Sequence, residues 1–259
     1  MLQTLTNTRP YAQPLSPIKV KGDSYALPAD FMSGLTFLRP LLSRRGNWFD
    51  THVNLLGGKL YAVTNQLIVE YTPDSVELPN RLFSSKMIRT LEAFQTPPRE
   101  VFSDGIEFHF RWDDGQELSM RQLHSPLPGS NHQRVAEESF SRFWSFNEGT
   151  KITAETRRYL RKLINHKKLA ADIFINGQSI ASRMSSNGNN WTLESTDPFP
   201  TNATRIMRFD RQAFLNMIGV ADEVDFSVSP VCFRHAHGRG LLIERTSTLD
   251  NPDFGSLDD

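Results

Sequence analysis

An α+β fold built from duplicated helix-plus-antiparallel-sheet units is predicted by three features of this 259-residue chain. Four glycine-marked hairpins recur at nearly even spacing. A helical apolar pattern precedes each hairpin. Basic side chains collect on the outward faces of those helical patterns.

The hairpins come from turn chemistry. Gly57-Gly58 separates Phe49–Leu56 from Leu60–Val63, and Asp113-Asp114-Gly115 separates Ile106–Trp112 from Glu117–Leu123. Asn176-Gly177 separates Asp172–Ile175 from Gln178–Met184, and His237-Gly238-Arg239-Gly240 separates Val231–Ala236 from Leu241–Arg245. Such glycines supply the positive φ that tight hairpins require. Gly58, Gly115, Gly177 and Gly238 lie 57, 62 and 61 positions apart.

The helices come from periodicity. Phe31, Leu35, Leu38 and Leu42 share one face, and Pro40 within that run predicts a kink or break. Ile88, Leu91, Glu92 and Gln95, with Met87 beside them, define the second helix, Thr156, Leu160, Leu163 and Ile164 the third, and Phe214, Leu215 and Ile218 the fourth. The expected organisation is a lead-in over 1–23, a first domain over 24–123 and a Pro- and Ser-containing connector over 124–139. A second domain over 140–246 and an acidic tail over 247–259 follow.

Composition narrows the function. The chain has 29 Lys+Arg against 29 Asp+Glu, so neither a basic nucleic-acid coat nor an acidic disordered protein describes the whole. Hydrophobic residues at 38%, with 18 Phe and 4 Trp, suffice for large cores. The lone Cys232 precludes an intrachain disulfide and a cysteine-based zinc site, and fits a reducing cytoplasmic setting. No apolar run approaches the roughly 20 residues that span a bilayer, and the first residues lack a signal-peptide pattern.

Charge is informative where it concentrates. Residues 151–183 hold eight Lys/Arg and two Asp/Glu. On a helix over Thr153–Lys168, Arg158, Arg161 and Lys162 lie opposite the apolar face, with Arg157 and Lys168 on its flank. Lys86 and Arg89 repeat the arrangement on the second helix, Arg44 follows the first, and Arg211 lies on the fourth. Several equivalent basic faces suit non-specific phosphate contacts. The bland alternative is that these charges only solvate outward helix faces.

Catalytic patterns are weak. Gly177-Gln178-Ser179-Ile180-Ala181 lacks the final glycine and the strand-to-helix context of a nucleophile elbow. His235 and His237 alternate as a metal pair would, but spacing supplies no third ligand. Asp113-Asp114 and Asp222-Glu223 read as turn acids. No enzyme, cofactor or metal centre is expected.

The local sequence resembles the DNA sliding clamps over roughly 24–246. The carrying segments are Leu27–Leu42, Gly57–Asn65, Phe209–Leu215 and Asp225–Phe233. The two-domain length is similar to the proliferating-cell nuclear antigen and phage clamps, and some segments look like the bacterial polymerase III beta clamp. The resemblance implies a homotrimeric ring that encloses duplex DNA and serves as processivity factor for a DNA polymerase, loaded by a clamp-loader ATPase. It implies a phage or mobile-element origin acting in the bacterial host cytoplasm. It also implies a partner-peptide groove in which Pro230 matches the pocket proline and Leu123, Leu127 and Val63 form walls. Two other readings stand beside it: a sequence-specific regulator using helix 153–168, and a structural or interaction protein that binds no DNA.

Overall fold

The computed structural model describes residues 22–104, 106–121, 131–164, 171–187 and 190–245. Its elements follow the order β–α–β–β–β four times. The first unit holds β1 (Asp23–Ala26), α1 (Phe31–Leu38), a short helix α2 (Trp48–Thr51), β2 (His52–Leu56), β3 (Lys59–Val63) and β4 (Leu67–Tyr71). The second holds β5 (Arg81–Ser84), α3 (Ser85–Glu92), β6 (Glu100–Ser103), β7 (Glu107–Arg111) and β8 (Glu117–Arg121). A linking helix, α4 (Asn131–Phe143), follows. The third unit holds β9 (Thr150–Lys151), α5 (Ala154–Ile164), β10 (Asp172–Ile175), β11 (Ser179–Asn187) and β12 (Asn190–Pro198). The fourth holds β13 (Met207–Asp210), α6 (Arg211–Val220), β14 (Glu223–Asp225), β15 (Val231–His235) and β16 (Gly238–Leu242).

Paired units exchange their first strands. β1 pairs with β6 while β5 pairs with β2, and β9 pairs with β14 while β13 pairs with β10. Three antiparallel sheets result, in the orders β1-β6-β7-β8, β12-β11-β10-β13 and β5-β2-β3-β4-β16-β15-β14-β9. The largest sheet is joined at its middle by β4 and β16, with Glu70 opposite Arg239 and Ile68 opposite Leu241.

Period-2 alternation sorts this sheet into two faces. Leu60, Ala62, Leu67, Val69, Tyr71, Val231, Phe233 and Leu242 face the main core, which also takes the apolar faces of α1, α3, α5 and α6. Tyr61, Val63, Ile68, Cys232 and Leu241 face the other way and are covered by Ala136 and Phe140 of α4. Fully burying side chains of this size contributes about 1.5–3 kcal/mol each. Gly240 is required within β16 because the ring of Phe233 occupies the space where a Cβ would project.

The glutamate at the join is itself buried. Glu70 accepts a hydrogen bond from the Tyr61 hydroxyl at 3.0 Å and pairs with Arg239 Nε at 3.1 Å and Lys59 Nζ at 3.3 Å. Burial and then the Glu70 charge push the Tyr61 phenol upward, so it stays a donor. Arg239 also lies 4.6 Å from the Phe140 ring centroid and 5.2 Å from that of Trp144, tying α4 to the join.

The break expected at Pro40 is present, while other elements differ from the sequence reading. The first helical run stops at Leu38 and passes into a 3-10 turn over Arg39–Leu41, where Pro40 cannot donate to an α-helical bond. Phe49 belongs to α2 rather than to the first hairpin, because the Asn47 side chain caps that turn by accepting from Asp50 N. The last turn lies before Gly238, which is the first residue of β16. Helix α4 runs through the 139/140 boundary expected between connector and second domain. The lead-in through residue 21, and the tail from 246, lie outside the described residues. No helix among the described residues is long and apolar enough to cross a membrane.

His235 gives the fold a pH dependence. Its ring lies against Phe37 at 4.8 Å, and its Nε2–H donates to the Glu70 carbonyl at 2.9 Å. Burial lowers its pKa from the ordinary 6.5, against smaller raising effects from that hydrogen bond, Asp222 and Glu70. Below about pH 6.5 the unfolded chain therefore binds a proton that the folded chain excludes, and stability falls as pH drops through that range. We predict that the urea midpoint falls between pH 7.5 and 5.5, and that His235→Gln reduces this fall. An equal fall in both proteins would show that His235 contributes nothing to it.

Candidate nucleic-acid interface

Two helices present the basic residues. In α3 the Ser84 hydroxyl caps the first turn by accepting from Met87 N at 3.1 Å. Met87, Ile88 and Leu91 then point into the core, which leaves Lys86 and Arg89 exposed. In α5 the Thr153 hydroxyl accepts from Thr156 N at 3.1 Å, and Leu160 and Ile164 are fully buried. The 3.6-residue period then turns Arg158, Arg161 and Lys162 to solvent.

These cations sit on regular helix faces with their charge unspent. Among the described residues, Lys86, Arg89, Arg158, Arg161 and Lys162 enter no side-chain hydrogen bond or ion pair. Several arginines elsewhere are committed: Arg39 to Glu92 at 3.2 Å, Arg111 to Glu117 at 3.1 Å, Arg208 to Asp172 at 2.6 Å and Arg239 to Glu70. A paired arginine has little left for a phosphate, whereas an exposed unpaired one can exchange water for it at low cost.

Arg157 belongs with the committed group. Its Nε donates to Ile218 O at 2.9 Å, its Nη2 donates to Ala221 O at 2.7 Å, and Asp222 lies 3.5 Å away. It caps the carbonyl end of α6, where a cation is favoured. The sequence places it on the flank of α5. Its partners come from more than 60 residues away, so no local pattern reveals this role.

The other candidates are dispersed. Arg211 is half-buried as the first residue of α6, whose N-cap Asp210 accepts from Ala213 N at 3.0 Å. Arg44 is exposed after the 3-10 turn and joins Arg89, Arg39, Ser85 and Thr51 around a cleft of about 530 Å³. It also borders a second cleft of about 660 Å³, with Arg45, Gln212 and Asn216. The association of Arg44 with Arg89 was not legible in sequence, because it depends on how α1 sits beside α3. Lys168 lies outside the described residues.

Of the four apolar groove candidates, two are described. Val63 is buried at 6% exposure in the outer cluster beneath α4. Pro230 is half-buried and follows a cis peptide bond just before β15. Val228, two residues earlier, packs against the same cluster as Val63. Leu123 and Leu127 lie outside the described residues. His235 is held by the Glu70 carbonyl, while His237 stacks on Tyr71 at 4.9 Å.

No protein-family model and no curated protein matches the sequence. Solved structures match in fold. The beta clamp of Helicobacter pylori bound to a DNA ligase peptide aligns over 90% of this chain and 68% of its own, with TM-score 0.62 and 8% identity. The DNA polymerase III beta chain of Streptococcus pneumoniae aligns over 93% and 68%, with TM-score 0.61 and 12% identity. Pol III beta of Caulobacter crescentus aligns over 90% and 69%, with TM-score 0.58 and 13% identity. The chain has the mixed helix and antiparallel-sheet fold of these sliding clamps.

The contrast between neighbouring arginines is measurable. Arg157→Gln should lower stability by about 1–3 kcal/mol through the loss of charged hydrogen bonds to the end of α6. Arg158→Gln should lie within about 0.5 kcal/mol of the parent. Equal urea midpoints for the two variants would remove the capping role.

Proposed function

We propose that this chain is a sliding clamp: it assembles into a ring around duplex DNA and tethers a replicative DNA polymerase as its processivity factor. The observation that carries the reading is a repeated edge. β4 and β16, the last strands of the first and fourth units, pair within the chain. β8 and β12, the last strands of the second and third units, each end their sheet. Pairing β8 of one copy with β12 of the next repeats the internal join by a head-to-tail contact, which closes into a ring when the rotation permits.

In this reading the first two units form one domain and the last two another, divided near the 124–139 connector. Six such domains around a ring require three copies. The helices then line the hole and the sheets form the outside. Lys86, Arg89, Arg158, Arg161 and Lys162 meet phosphates through weak, exchangeable contacts, with Arg44, Arg211 and Lys168 at the margins. These contacts are independent of sequence, which allows sliding. Confinement raises the local concentration of the tethered polymerase, and the protein itself catalyses nothing. A clamp-loader ATPase opens the ring onto DNA, in a cytoplasm that holds the host's or a phage's replication machinery. Partner peptides dock beside Pro230, Val63, Leu123 and Leu127.

Light scattering should give a mass of about 88 kDa for three 29.5-kDa chains. The loaded protein should stay on circular DNA and run off linear DNA. Equal retention on both, with strong preference for one sequence, would favour a regulator and overturn the clamp.

Arg158→Glu with Arg161→Glu should reduce processivity stimulation roughly tenfold or more at moderate salt. Unchanged stimulation would remove α5 from the DNA-facing surface. Pro230→Glu should weaken polymerase binding without changing the mass of the assembly. Unaltered polymerase binding would remove Pro230 from the groove.

A further inference from the structure

The unspent cations are unevenly distributed among the four core helices. α1 exposes Ser33 and Thr36, and its neighbouring Arg39 is neutralised by Glu92. α6 exposes Gln212 and half-exposes Leu215, Asn216 and Gly219, with Arg211 at its first residue. The exposed, unpaired cations lie instead on α3, as Lys86 and Arg89, and on α5, as Arg158, Arg161 and Lys162. The acids on these two helices do not cancel them. Glu92 is taken by Arg39, and α5 offers only Glu155 in its first turn.

This distribution follows the strand edges. α1 packs on β3 and β4 and α6 packs on β16, so these helices flank the existing β4·β16 join. The 3-10 turn and loop after α1, with the exposed Arg44 and Arg45, and the start of α6 line one cleft there. α3 and α5 belong to the units whose last strands, β8 and β12, end their sheets. A contact that repeats the internal join between two copies therefore brings α3 of one chain beside α5 of the next.

We propose that the main duplex-binding surface is composite. It is completed only where two chains meet, with Lys86 and Arg89 from one chain and Arg158, Arg161 and Lys162 from its neighbour. This rests on the ring reading above and adds a regulatory consequence. Without DNA the five cations repel across the junction, most strongly at low salt, where the screening length exceeds about 10 Å. A duplex placed against them neutralises that repulsion. DNA binding and chain association are then positively linked, each strengthening the other by the same factor. Empty rings are held loosely and occupied rings tightly.

The test is sedimentation equilibrium of the full chain at 50 and 300 mM NaCl, with and without a 20-base-pair duplex of arbitrary sequence. Without DNA, association should strengthen at least about threefold on raising the salt, as screening relieves the junction. At 50 mM salt the duplex should strengthen association at least about tenfold. Arg158→Glu with Arg161→Glu places acids opposite Lys86 and Arg89 of the next chain. This pair should associate more tightly than the parent without DNA and lose the gain from the duplex. Adding Lys86→Glu and Arg89→Glu restores like charges and should return association to the weak level, which isolates the coupling from any general effect of salt.

Association that ignores salt, duplex and both charge reversals, while the parent is still retained on circular DNA, overturns the composite surface and leaves the clamp reading intact. A chain that stays monomeric with and without duplex at every concentration overturns both.

Discussion

Everything in this chain is arranged around the pairing of β4 with β16. The two strands come from the first and last units, and their five-residue register turns two separate strand sets into one eight-stranded sheet. A buried carboxylate reinforces the join. Glu70 is 4% exposed, and its position is tolerable because Arg239, Lys59 and Tyr61 satisfy its oxygens. Arg239 belongs to β16 and also supports the aromatic rings of α4 and the segment after it. One residue thus links the two halves of the sheet to the helix on its outer face.

The same economy of charge separates structural from functional arginines. Arg157 and Arg158 are adjacent in sequence and equal in chemistry, yet a turn of 100° sends one to the carbonyl end of α6 and the other to solvent. Net charge is zero over the whole sequence, so the basic character of α3 and α5 arises from where the unpaired acids lie, not from excess. A neutral protein can present a strongly positive surface when its unpaired acids lie on other parts of the molecule. The outer face of the sheet works by the opposite principle: Val63 and Cys232 are protected by α4, not solvated.

Legibility in the sequence followed the range of the interactions. Hairpins were readable because glycine turns announce them locally, and the core helices because three or four apolar residues repeat at helical spacing. The first strand of each unit was not readable. β1, β5, β9 and β13 are two to four residues long, and each pairs with a strand from another unit. α4 was hidden because only Ala136 and Phe140 are buried among its described side chains, too few for a clear stripe. For the interface, the exposure of Arg158, Arg161, Lys162, Lys86 and Arg89 followed from the helical wheel. Their freedom from partners, and the engagement of Arg157, depended on residues that sequence order keeps far apart.

The join between β4 and β16 also orders events during synthesis. Glu70 and Arg239 are 169 positions apart, so the first half emerges with the edge of β4 open long before its partner exists. An open strand edge is a template for pairing with any other chain. Until β16 arrives, a newly made first half can be captured by a neighbouring nascent copy, producing exchanged dimers in place of correctly closed chains. Such contacts of long sequence separation also form slowly, so the amides of β4 should be among the last to gain protection in pulse-labelled hydrogen exchange during refolding.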